Sequence, residues 1–183
     1  MPPKPKVTRQ DIIEAAVRLV RNEGIEAFNA RSVARELGCS TQPIFSAFES
    51  MNDLKDEVLR QAAHFFGLFI DQHTQPERVL ISISMAYISF ARQEPSFFKL
   101  LFLSDGIHGT TFYKLSETNP AIVQNIVETA GIGPEEAKDL FLHVWIFVHG
   151  LATLLVSGEA AQVEPHLDTL VQDAVIGFYR LYS

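Results

Sequence analysis

The stretch that most constrains this chain is residues 29–48, NARSVARELGCSTQPIFSAF. Its spacing predicts two short helices joined by a tight turn. Asn29 has the short polar side chain that caps a helix start. Val33, Ala34 and Leu37 recur on one edge of the first helix. Gly38 follows the last of them, where a chain leaving a helix often turns through positive φ. Ser40 is the expected N-cap of a second helix over 41–47, anchored by Ile44 and Phe48. A helix, a glycine-containing turn and a second helix form the helix-turn-helix pattern, whose second helix enters a DNA major groove. These residues alone leave an ordinary corner between two core helices equally open.

The remainder of the chain narrows the choice. With 183 residues, 47% of them apolar and 20% charged, it can bury a substantial core. A single cysteine, Cys39, excludes an internal disulfide framework and any CxxC motif. The start, MPPKPK, has no apolar core of a secretory signal. Residues 140–156 are apolar but hold two histidines and a glycine, and fall short of the roughly 20 clean residues of a membrane span. A helix buried on two sides is expected there, with no membrane partner and a cytoplasmic location. The net charge of −7 argues against nucleic acid only when taken whole. Residues 1–45 carry seven basic against five acidic side chains, whereas residues 61–183 carry six against thirteen. A mildly basic N-terminal quarter is joined to an acidic body.

Helical periodicity runs through almost all of it. Thr8 and Asp11 have capping-box spacing before Ile12, Ile13, Ala16, Leu19 and Val20, and Gly24 ends that stripe. Ser50 and Asp53 open a helix of about 20 residues with no linker before it. Pro76, Glu94-Pro95, Asn119-Pro120 and the Gly131–Pro134 segment punctuate further apolar stripes, and 104–111 is the clearest loop. A turn of helix is expected within 112–117. The last stripe is Leu167, Leu170, Val171, Ala174, Val175, Phe178 and Leu181. No strand alternation stands out. The expectation is an all-α fold of about nine helices: a helix-turn-helix domain over 1–50 and a second domain over 51–183, whose role in effector binding and dimerisation is what a family resemblance implies.

The order of these parts resembles the TetR/AcrR family of bacterial transcription regulators. The matching residues are Arg31-Ser32-Val33-Ala34, Leu37-Gly38-Cys39-Ser40, Ile44-Phe45, Phe48 and Asp53-Leu54, within residues 8–58. Trp145, His149 and Gly150 resemble the Trp–His–Gly signature of one C-terminal subgroup. The resemblance implies a homodimeric DNA-binding regulator with a mainly apolar effector pocket in its body. Where the family commonly has Tyr-His in the second helix and a lysine shortly after, this chain has Phe45, Ala47 and Met51. Two hydrogen-bonding groups and a charge that usually contact phosphate are therefore missing.

Site expectations follow. Gln42 can pair bidentately with adenine, and Thr41 can meet a thymine methyl. Lys4, Lys6, Arg9, Arg31 and Lys55 are the candidate phosphate contacts, and Asn29, Ser40, Pro43 and Phe45 complete the DNA-facing set. By resemblance, Phe65, Phe69, Phe90, Phe98, Phe102 and Trp145 line an effector pocket, with Tyr87, His108, Tyr113 and His149 as its polar groups; a plain aromatic core stays open for each. Surplus apolar surface on the last two long helices assigns Phe147, Leu151, Leu155, Val171, Val175 and Phe178 to a dimer interface. His143 and His149 lie about 240° apart around a helix and cannot share a ligand. No metal site, cofactor or catalytic constellation is expected. The expected partners are a pseudo-palindromic double-stranded DNA operator, a small-molecule effector and a second copy of the chain. The alternative is a ligand-binding or interaction protein with a weakened DNA-binding unit.

Overall fold

The structure, a computed structural model, describes residues 7–104 and 120–182. Among them the chain is all-α, with nine α-helices and no strand. The first four are α1 (Arg9–Glu23), α2 (Ala30–Leu37), α3 (Gln42–Ala47) and α4 (Met51–His73). The body adds α5 (Val79–Gln93), α6 (Pro95–Phe102), α7 (Pro120–Ala130), α8 (Pro134–Ser157) and α9 (Leu167–Tyr179). The loop and helical turn expected within 104–117 lie, but for Ser104, outside the described residues.

Local chemistry sets most boundaries. Thr8 and Asp11 form a complete capping box on α1, and Ser50 and Asp53 form another on α4. Gly38 sits at φ 64°, in the left-handed region. There its N–H bonds to the Arg35 carbonyl while the Cys39 N–H reaches the Ala34 carbonyl, the paired C-terminal bonds of a Schellman motif. At the start of α8 the Glu136 carboxylate accepts from the Gly133 N–H at 2.7 Å.

The expected cap of α3 is corrected. Ser40 does not cap; Thr41 holds the N-cap position in a helical conformation and makes no side-chain cap bond. Pro43 explains this. It takes the second helical position and has no N–H to offer, while the Ile44 N–H already bonds to the Thr41 carbonyl at 3.1 Å. The helix therefore begins at Gln42.

One continuous hydrophobic core runs from α1 to α9. In the N-terminal unit Ile12, Leu19, Val33 and Ile44 are fully or almost fully buried, and Leu54 and Val58 carry the same core into α4. In the body, α5 packs on α4, α6, α7, α8 and α9. The helix α8 has 24 residues and is long and apolar enough to cross a membrane by length and composition. In this fold it lies in a bundle, burying Leu140, Val144, Val148 and Leu151 on one face. Its other face carries Ile146, 57% exposed, so the packing within one chain buries one side of this helix.

Candidate DNA-binding face, effector core and the joint between them

Ile44 on α3 and Phe48 just after it point into the core, and the opposite face of the helix is left to solvent. Gln42, Phe45 and Ser46 stand there at i, i+3 and i+4, all exposed, with Thr41 half-exposed beside them. Ser46 was not singled out from the sequence; its hydroxyl donates to the Gln42 carbonyl at 2.9 Å. Ser40 and Arg31 are exposed, and Pro43 is half-buried. Asn29 is occupied at both ends: its carbonyl oxygen accepts from the Ser32 N–H and its amide donates to the Ala27 carbonyl. The capping role read from the sequence is therefore present.

The expected phosphate-binding cations are not alike. Lys4 and Lys6 lie outside the described residues. Arg9 donates to Glu57 at 2.5 Å and sits 4.6 Å over the Phe48 ring, so it braces α1 against α4. The same carboxylate takes Arg60 at 2.8 Å. The hydrogen bond from Arg9, and the charges of Arg60 and Arg9, hold the Glu57 carboxyl below its ordinary range. Lys55 is half-buried and lines a cleft with the end of α1 and with α6.

The aromatic candidates of the body do come together. Tyr87, Phe90 and Phe98 are fully buried, Phe102 nearly so, and Phe65 and Phe69 are half-buried. Phe66, not assigned to the pocket from the sequence, is the hub: its ring meets Phe90 at 4.9 Å, Phe102 at 5.2 Å and Tyr87 at 5.9 Å. At the polar end, the Tyr87 hydroxyl lies 2.8 Å from His149 Nδ1. Burial pushes the Tyr87 phenol far up and the His149 imidazole down. Both shifts favour one arrangement, in which Tyr87 donates and a neutral His149 accepts through Nδ1. Phe98 stacks on the imidazole at 6.0 Å, and Trp145, four residues earlier on α8, lies 5.4 Å away. His108 and Tyr113 lie outside the described residues.

A third feature was not foreseen. Arg21, in the last turn of α1, makes two hydrogen bonds to the carboxylate of Glu94, 73 residues away. The bond from Nε is 2.8 Å. Glu94 is only 9% exposed and sits between α5 and α6. The guanidinium also lies 5.2 Å from the centre of Phe65 and 5.9 Å from that of Phe97. Its hydrogen bond to Glu94, together with the carboxylate's charge, outweighs burial and raises the Arg21 pKa. The end of α1 is thus tied to the edge of the aromatic core.

Leu151, Val171 and Val175, expected at a dimer interface, are instead buried in the chain's own core, because α9 packs on both α5 and α8. Phe147, Leu155 and Phe178 are half-buried, with the Phe147 and Phe178 rings 6.4 Å apart. The apolar groups left in solvent on these two helices are Ile146 and Ile176, neither singled out from the sequence.

Comparison with known proteins adds four findings. Residues 80–177 match the family described as the tetracycline repressor-like C-terminal domain. The HTH-type transcriptional repressor DrrR1 of Streptomyces coeruleorubidus is 37% identical over 57 residues, 31% of this chain and 21% of that protein. A protein of unknown function from Rhodococcus sp. RHA1 shares the fold with a TM-score of 0.74, at 20% identity and over 100% and 99% of the two chains. A transcriptional regulator from the same organism does so with a TM-score of 0.64, at 16% identity and over 96% and 98%.

Proposed function

The chain belongs to the TetR family of DNA-binding transcriptional regulators, and from that premise we propose that it is a homodimeric, one-component repressor released from its operator by a small, largely apolar effector. The observation that carries this reading is the physical continuity between its two ends. The face of α3 bearing Gln42 and Phe45 is joined to the aromatic core by an unbroken α4 and by the Arg21–Glu94 pair.

Gln42 reads a base edge, with Thr41 beside it. Arg31, and the N-terminal Lys4 and Lys6, take phosphate charge. Phe45 is 56% exposed and offers an apolar contact where the family commonly uses a tyrosine. Two chains pair through the outer faces of α8 and α9, around Ile146 and Ile176. The two α3 helices then meet successive major grooves roughly 34 Å apart. The domain division at 50/51 falls at the N-cap of α4, the helix both halves share. The protein works where its DNA is, in the cytoplasm.

An effector entering beside the Tyr87–His149 pair binds the two states of the body differently, and that difference is what shifts DNA affinity. A coupling of about 1–3 kcal/mol changes it roughly 5–150-fold. Fluorescence polarisation on duplexes from the DNA flanking its own gene tests the reading. One duplex should bind far better than a shuffled copy, with affinity falling steeply as salt rises. Equal affinity for both would sink it. That outcome would favour the second reading, a ligand-binding protein with a weakened DNA-binding unit, which rests on the uncharged Phe45, Ala47 and Met51.

A further inference from the structure

We propose that the cleft between the end of α1 and α6 is a second small-molecule site, separate from the aromatic core and selective for amphipathic anions. Its volume is about 870 Å³, within the range of small-molecule sites. The walls come from the last residues of α1 and the turn after it, from Lys55 on α4, from α6, and from the final turns of α8.

The helix α6 separates the two sites. Ser96, Lys99 and Leu103 line the cleft at i, i+3 and i+7, one side of the helix and its end. Phe98 and Phe102 face the other way, onto Tyr87 and His149. A ligand in the cleft therefore touches none of the aromatic core directly.

The chemistry of the walls selects the ligand. Among the described residues, ion pairs engage Arg9, Arg18, Arg21, Arg35, Arg60, Arg92 and Lys138. Lys55 and Lys99 are in none of them, and both line this cleft. Of the two acids on its wall, Glu23 is engaged by Arg35 at 3.6 Å and Glu26 is exposed to solvent. Leu103, 41% exposed, supplies apolar surface next to the lysines, with Ile25 and Val156 opposite. A compact anionic group held by two ammonium groups, carried on an apolar body, satisfies both kinds of wall. The cleft also adjoins the Arg21–Glu94 pair, since Asn22 and Pro95, the next residue after each partner, line it. An occupant bridging the walls holds the end of α1 against α6.

Binding of 1-anilinonaphthalene-8-sulfonate to the purified full chain tests this, with the uncharged N-phenyl-1-naphthylamine as the control probe. Replacing both lysines (Lys55→Gln with Lys99→Gln) should weaken the sulfonate roughly tenfold or more and leave the neutral amine unchanged. Lys99 is exposed, so Lys99→Gln alone carries the test should the double variant fail to fold; a loss of about threefold or more is expected. Undiminished sulfonate binding in the folded variants, or an equal loss for both probes, overturns the proposal. No DNA is present in these measurements, so the outcome is independent of whether the chain binds an operator.

Discussion

Tyr87 and His149 were each legible in the sequence as rare polar groups on apolar stripes, but not as partners, because 62 residues separate them. Their bond has measurable consequences. Tyr87→Phe removes the donor and leaves a half-buried imidazole nitrogen unpaired, which should cost about 1–2 kcal/mol and lower the Tm. The imidazole also links stability to pH. Burial holds His149 below its ordinary value of 6.5 in the fold. The unfolded chain therefore binds the extra proton first as pH falls through about 6.5, and stability falls with it. Between about pH 7.5 and 5.5 the wild type should lose more Tm than His149→Gln does; an identical loss would show that the imidazole contributes nothing to the slope. The pairing of Arg21 with Glu94 was equally invisible. A glutamate before a proline reads as a helix break, and nothing local says that its carboxylate meets another helix.

At the scale of elements, the ends of α1, α2 and α4 were readable because each is decided within four or five residues. Thr8 with Asp11, Gly38, and Ser50 with Asp53 all do what their spacing predicts. The start of α3 was misread for an equally local reason: both Ser40 and Thr41 are good caps, and Pro43 removes the N–H that would have decided between them. Gly38 carries the sharpest test of the turn. An alanine there meets no neighbouring atom, yet it must adopt φ 64°. Gly38→Ala should destabilise the chain by about 1 kcal/mol in urea unfolding. On α3 itself, Gln42→Ala should keep the helix and reduce discrimination between operator and shuffled DNA by about 1–3 kcal/mol, read from paired polarisation titrations. If discrimination is unchanged, Gln42 reads no base.

For the whole molecule, the proposed dimer is the least legible feature, because apolar stripes on α8 and α9 are wide and the sequence cannot say which edge the chain spends on itself. Val171 is fully buried, while Ile146 and Ile176 remain in solvent. Ile146→Glu should therefore shift light-scattering mass from two chains to one without unfolding the helices seen by circular dichroism. A dimer that survives the change would place the pairing surface elsewhere. The joint at Arg21 has a consequence of another kind. Glu94 is 9% exposed, and although half of the Arg21 side chain meets solvent, its guanidinium lies against two rings, so counterions screen the pair less than a fully exposed one. Contacts to phosphate loosen steeply as ions accumulate. An osmotic upshift in the cell would thus act on this protein from its surface inward, relaxing its hold on DNA more than the tie between α1 and the aromatic core.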